Sequence, residues 1–351
     1  MKIFFSPRQR GHRPGNFLVS GRLRQIPDVP ERVESLLMGA TSCGHSIIEP
    51  EDFGVSCIEK VHSAEYIAFL ETAHDRWSAL ADASSDVVPN VHPRHVHSRQ
   101  HGRGYPRSIV GRAGYHLYDL ACPITPDTWT SALWGAHSAT AAALQVRDGA
   151  ERSAYAICRP PGHHAGRDFA GGFCYLNNAA VAAAVLRDKY QRVAIVDIDV
   201  HHGNGTQDIF YHRGDVMTIS LHGDPADFYP FFWGYETERG EGDGLGANVN
   251  LALPRNAGDN QYLDALHIGL SHLRDFRPQA LVVALGLDSY KHDPLAFMQI
   301  TTTGFERIAR VLSSLRLPTV LVQEGGYLCE DLGLNLASFL TGFEAEQLQQ
   351  A

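Results

Sequence analysis

A chain of 351 residues with 44% hydrophobic and 20% charged residues is long enough to bury a large core, and its composition is that of a globular protein. A net charge of −9 excludes the strongly basic surface of a nucleic-acid binder, and no apolar run approaches the roughly 18 residues that a membrane-spanning helix requires. The opening MKIFFSPRQRG is too poor in apolar residues for a secretory signal, and the six cysteines (43, 57, 122, 158, 174 and 329) contain no CxxC pair; both point to a cytoplasmic protein with reduced thiols.

In chain order, strands are expected at residues 2–6, 154–158, 192–197, 216–221, 249–253, 280–285 and 318–323. Helices are expected between them, among others at 129–147, 177–189, 260–276 and 304–315. Unbroken apolar runs such as VAIVDIDV and ALVVALGL suit strands covered on both faces. The alternation of strand and helix predicts an α/β fold, a mainly parallel sheet between helix layers. Residues 87–112 break the pattern. With four histidines, five arginines and three prolines, they read as a long inserted loop, of the kind that serves a function or an interface. Its histidine spacing lacks a tight ligand pattern, so a solvated or dimer-forming loop is preferred to a metal site.

The chemistry concentrates at the carboxyl ends of the predicted strands. DIDVHHGNG places Asp197, Asp199, His201 and His202 at the end of a buried strand, where α/β sheets bind ligands and where an unpaired carboxylate would be very costly. Asp199 and His201, two residues apart, share one face of an extended chain, and Asp288 closes a second strand, ALVVALGLD. Two carboxylates and one imidazole from separate strand ends make three ligands with an open fourth position, the pattern of a catalytic rather than a structural zinc site. An isolated D-x-H is more simply a hydrogen-bonded pair; the second aspartate-bearing strand end favours the metal. RPPGHHAG brings His163 and His164 to a third strand end, where a metal-bound water needs a base. VQEGGYL brings Tyr327 to a fourth, where its hydroxyl can stabilise an oxyanion.

RPPGHHAG, GGFCYLNN, DIDVHHGNGTQDIFY, SLHGDP, LGLDSYKHDP and QEGGY resemble, in order, the blocks of the histone deacetylase superfamily, and within it the bacterial acetylpolyamine amidohydrolase branch. The resemblance implies a single catalytic domain over residues 1–345 with a tail at 346–351. It also implies an arginase/deacetylase-like fold around a mainly parallel eight-stranded sheet. It makes Asp199, His201 and Asp288 ligands of Zn2+, with Fe2+ or Co2+ as alternatives. His164 is then the general base, with His163 as its partner, Asp197 orienting His163 and Asn204 beside His164. Tyr327 polarises the acyl carbonyl, and Gly172, Phe173 and Tyr229 line a substrate tunnel. Structural K+ would lie by Asp197, Asp199, His201, Ser220 and Leu221, and a second monovalent ion by Phe210, Arg213 and Val216. The 87–112 loop resembles a dimer-forming insertion, which implies a homodimer.

The implied reaction is hydrolysis of a small acylated amine. Two departures bear on it. Asn204 stands where some branches carry an aspartate, and no acid stands near Phe17 or Val110, where a polycation-binding entrance calls for one. Asp224, Asp227 or the acids of 236–243 could supply the rim instead. Acyl-lysine peptides and neutral amides therefore remain open as substrates. A binuclear arginase-like hydrolase needs more carboxylates than DVHH offers, and a non-catalytic sensor would not need all of these groups together.

Overall fold

The computed structural model describes residues 1–93 and 104–348. One sheet of eight strands forms the centre, built from β1 (Lys2–Phe4), β4 (Ile47–Ile48), β5 (Ser153–Ala156), β6 (Val193–Asp197), β7 (Val216–Gly223), β8 (Asn248–Leu253), β9 (Ala280–Leu285) and β10 (Thr319–Gln323). Their order is β4-β1-β5-β10-β9-β6-β7-β8, and every neighbouring pair is parallel. The seven strands expected from sequence are all present within a residue or two. The eighth, β4, is two residues long, too short to leave a periodic signal. A separate antiparallel hairpin, β2 (Asn16–Val19) with β3 (Arg22–Gln25), stands apart from the sheet; its alternation is masked by arginines.

Alternate residues of each central strand enter different cores, which is why those strands read as unbroken apolar runs. On one face Val193, Ile195, Val282 and Val320 meet the helices α2 (Ala64–Ser78), α4 (Thr128–Arg147) and α5 (Asn178–Arg187). On the other face Ala194, Val196, Val283 and Leu321 meet α1 (Glu31–Ser42), α7 (Asp259–Phe276), α8 (Thr302–Ser313) and α9 (Leu332–Leu348). The remaining helices, α3 (Ile109–His116) and α6 (Asn204–Phe210), flank the loops. Two helices begin earlier than expected, at Asp259 and Thr302, because Thr301 caps the second by accepting from Gly304 N while its own N–H donates to Asp259. Among the described residues no helix is long and apolar enough to cross a membrane, and all six cysteines are free.

The expected 87–112 loop is only partly irregular. Val87 pairs with Ile124 through backbone hydrogen bonds, and Ile109 opens α3, so the insertion is shorter than its composition suggested. His95, His97 and His101 lie outside the described residues; His92 is exposed.

Strand order places the site. From β6 the chain steps outward through β7 to β8, then returns to the other side of β6 for β9 and β10. The reversal lies between β6 and β9, and in open parallel sheets the crevice at such a switch point collects ligands.

Packing between α1 and α9 depends on bare backbone: a Cβ on Gly39 would sit 2.3 Å from the Gly333 carbonyl oxygen. Gly39→Val is therefore expected to lower the unfolding free energy by about 1–3 kcal/mol through overpacking, read from denaturant titration; an unchanged midpoint would show that the helices can separate freely.

Candidate active site

Four segments leave the carboxyl ends of the adjacent strands β5, β10, β9 and β6, and each delivers a group singled out from sequence. Asp199, His201 and Asp288 converge: one ligand atom from each lies within 4.8 Å of the others, and all three residues are buried. His201 Nδ1 is 3.1 Å from both Asp199 Oδ1 and Asp288 Oδ2. The outer oxygens are held from behind, Asp199 Oδ2 accepting from Gly325 N at 2.7 Å and Asp288 Oδ1 from Val200 N at 3.0 Å. Gly325 is required there, since a Cβ would fall on the carboxylate oxygens of both aspartates.

Two buried carboxylates facing one another call for a cation. Burial and the charge of Asp199 push Asp288 up to about 6. Asp199 itself is held below the usual carboxylate range despite its burial, by the charges of His163 and His201. Burial works against a charged His201, yet its bonds to the two carboxylates raise it to about 9. The donor set, two oxygens and one nitrogen, is one that zinc accepts.

The paired histidines differ sharply. His163 Nδ1 donates to Asp197 Oδ2 at 2.8 Å, and its Nε2 lies 3.7 Å from Asp199 Oδ1. Burial opposes its charge, but Asp199 and Asp197 outweigh burial and raise it to about 10. His164 Nδ1 is 2.7 Å from Asn204 Oδ1, a neutral acceptor. Burial, then the neighbouring charges of His163 and His201, hold it well below the ordinary histidine range. At neutral pH the pair is one imidazolium and one neutral imidazole, whose rings lie 4.1 Å apart. Asn204 contributes by what it lacks, since an aspartate in its place would favour a second charge.

Tyr327 is buried, its ring 5.9 Å from Phe173, and burial together with Asp288 keeps its phenol protonated. Phe173 and Tyr327 cluster with Ile26, against Phe17 and Leu295. Tyr229 stands across the histidines, 5.0 Å from His164 and 6.1 Å from His201 between ring centroids. A Cβ on Gly172 would fall on the His164 ring, so the chain there passes directly over it. Of the residues expected around K+, Asp197 and Ser220 are register partners on β6 and β7. Ser220 Oγ bonds His222 Nδ1 at 2.8 Å. Phe210, Arg213 and Val216 fall on the turn from α6 into β7, where Arg213 N donates to Phe210 O and the Arg213 side chain pairs with Asp215.

Three acids beside the site were passed over in the sequence. Asp119 Oδ2 accepts from Gly172 N at 3.0 Å and from the Tyr229 hydroxyl at 2.7 Å, and burial raises its pKa. Asp293 Oδ2 accepts from Tyr327 N at 2.7 Å. The Glu324 carboxylate reaches the turn carrying His163. None repeats a motif spacing; KHDP and QEGGY contain two of them, but only the fold aims them at their partners.

A histone deacetylase domain is matched over residues 24–343. Acetylpolyamine amidohydrolase of Burkholderia pseudomallei (strain 1710b) is 46% identical over 346 residues, covering 98% of this chain and 99% of that protein. The acetylpolyamine amidohydrolase of Mycoplana ramosa is 38% identical over 344 residues, covering 97% and 99%. A crystal structure of acetylpolyamine aminohydrolase from Burkholderia pseudomallei superposes with a TM-score of 0.94 over 99% of each chain, at 46% identity. The HDA15 HD domain superposes with a TM-score of 0.80 at 26% identity, covering 98% of this chain and 89% of that one.

The facing carboxylates predict a measurable dependence on metal. Chelation should lower the melting temperature and re-addition of zinc restore it, because a ligand that binds only the folded state stabilises it. Asp288→Ala should erase that difference in a thermal scan; a metal-dependent shift surviving in Asp288→Ala would move the ion elsewhere.

Proposed function

Since this chain belongs to the histone deacetylase family, we propose that it is a zinc-dependent amidohydrolase releasing acetyl groups from acetylated polyamines or closely related small acylamines. The observation that carries this reading is the meeting, at one switch point, of Asp199, His201 and Asp288 with the paired histidines His163 and His164, one bonded to an aspartate and the other to an asparagine, and with the loop that carries Tyr327.

In this reading Asp199, His201 and Asp288 hold the zinc, which when bound polarises the acyl carbonyl and acidifies a water. Fe2+ or Co2+ would suit the same donors less selectively. His164, neutral and with Nδ1 engaged by Asn204, has Nε2 free to accept the proton of the attacking water. His163, positively charged against Asp197, stabilises the negative charge that develops and is placed to return a proton to the leaving amine. Tyr327 donates its phenolic proton in a hydrogen bond to the developing oxyanion. Phe173 and Tyr229 flank the acyl chain, with Gly172 as the backbone wall. K+ by Ser220 and Leu221, and a second monovalent ion by Phe210, Arg213 and Val216, would brace the strand ends from behind. A homodimer through 87–112 and a cytoplasmic setting accord with this reading.

Asp119 speaks for a cationic substrate. Its carboxylate stands behind Gly172 and Tyr229, within the wall assigned to the tunnel, and carries no basic partner among the hydrogen bonds of the described residues. A desolvated carboxylate is relieved by an ammonium group, which an acetylpolyamine carries and a neutral amide does not. It supplies the acid that the sequence near Phe17 and Val110 lacks.

Two substitutions test the reading. Tyr327→Phe should lower kcat by about 10²–10³, the cost of one oxyanion donor, with metal content unchanged; parent-like turnover would remove Tyr327 from the reaction. Asp119→Asn should raise KM for acetylputrescine about tenfold, the order of one charged hydrogen bond, while leaving a neutral acylamide unaffected. Equal changes for both substrates would defeat the polyamine assignment.

A further inference from the structure

Glutamate is almost never fully buried without a cationic partner, yet Glu324 is 0% exposed. Arg32 donates to its backbone carbonyl and not to its carboxylate, and the charged His163 ring, though close, makes no hydrogen bond to that carboxylate. The carboxylate turns instead toward the segment leaving β5. Oε2 accepts from Gly162 N at 2.6 Å and from His163 N at 3.0 Å, while Oε1 has no hydrogen-bond partner. One of its oxygens, a ring nitrogen of His163 and the Cys174 sulfur lie within 4.8 Å of one another. A desolvated carboxylate with half its bonding capacity unused costs stability, so a cheaper side chain would serve if filling space were the only requirement.

We propose that Glu324 is a positioning residue for the hydrolysis assigned above, on which this inference rests: its carboxylate is the strut that fixes the Gly162–His163 turn relative to the segment that runs from the end of β10 to Tyr327. Three observations support it. His163 is held at two points by different strands, its ring by Asp197 at the end of β6 and its backbone by Glu324 at the end of β10. The next residue, Gly325, donates its N–H to Asp199, and Tyr327 follows two residues later, its N–H donated to Asp293. One short stretch therefore sets a metal-binding carboxylate, the tyrosine and the histidine turn against each other. That stretch is itself gripped, because Arg32, paired with Asp28, donates to the carbonyls of Glu324 and Gly326. Both bonds made by Oε2 fall on backbone N–H groups of one turn, and His164 lies on the same turn, so losing the strut frees both imidazoles at once.

The test uses the zinc-loaded protein with acetylputrescine, comparing Glu324→Ala, Glu324→Gln and Glu324→Asp with the parent. Removing the strut in Glu324→Ala should lower kcat by about 30–100-fold, as expected for a misplacement of about 1 Å, with KM within about twofold of the parent. Glu324→Gln keeps an oxygen that can accept both N–H groups, and should recover to within about fivefold of the parent, since the geometry is retained. Glu324→Asp keeps the charge but falls one methylene short, and should resemble Glu324→Ala; it decides the matter should the alanine variant fail to fold. Parent-like kcat in the alanine or aspartate variant would overturn the proposal. So would a glutamine variant as impaired as alanine, or a rise in KM with kcat unchanged. A parent inactive on acetylputrescine would sink the assigned reaction and this inference together, whereas an active parent indifferent to Glu324 would sink only the latter.

Discussion

Negative charge buried at the middle of a parallel sheet is the constraint around which this protein is arranged. Asp197, Asp199, Asp288 and Glu324 are all at most 3% exposed, in surroundings where an isolated carboxylate is costly enough to neutralise itself. The fold answers with cations and with donors. Asp197 and Asp199 raise His163 well above the ordinary histidine range, while Gly162, His163, Val200 and Gly325 each turn a backbone N–H onto a carboxylate oxygen. Such groups gather only where several strands end together. The crevice between β6 and β9 is that place, because the chain reverses direction across the sheet there.

This arrangement also explains the division of labour between adjacent histidines. His163 and His164 are neighbours in sequence with equally buried rings, and they differ in their partner: an aspartate for one, an asparagine for the other. A charge on His163 disfavours a charge on His164, so the pair settles into one acid and one base without either residue being exposed to solvent. The same logic gives Asn204 a positive reason to be an amide.

The parts legible in sequence were those whose signal is local. Seven strands showed as apolar runs, and Asp199, His201, Asp288, the histidine pair and Tyr327 showed because each closes such a run. What was not legible depends on approach between distant segments. The strand β4 is too short to carry a pattern. The hairpin β2–β3 packs through Phe17 against Phe173 at 5.3 Å, and its arginines mask any alternating hydrophobic face. Asp119 lies in YDLACP, where nothing nearby marks it; its meaning comes from Gly172 and Tyr229, 53 and 110 residues away. Within the 87–112 segment, composition pointed to one long loop, whereas the beginning of α3 at Ile109 is set by packing of Ile109 and Ala113 in the core.

The acids missed in sequence have one feature in common, which bears on how such a site keeps its shape. Asp119, Asp293 and Glu324 each spend a carboxylate on backbone N–H groups of a residue assigned to the site or of its immediate neighbour. None needs to touch the reacting atoms to matter. Loops at strand ends are the most mobile part of an α/β fold, and main-chain N–H groups there lack the ladder that holds a strand. A buried carboxylate is a strong acceptor for them, and its desolvation cost is recovered only while the loop stays in place. The loops that carry Gly172, Tyr327 and His163 are thereby tied to one geometry by groups that would be unstable in any other. The cost of burying so much negative charge is offset by the positive charge at the centre, so the rigidity of the walls and the charge in the crevice between β6 and β9 depend on each other.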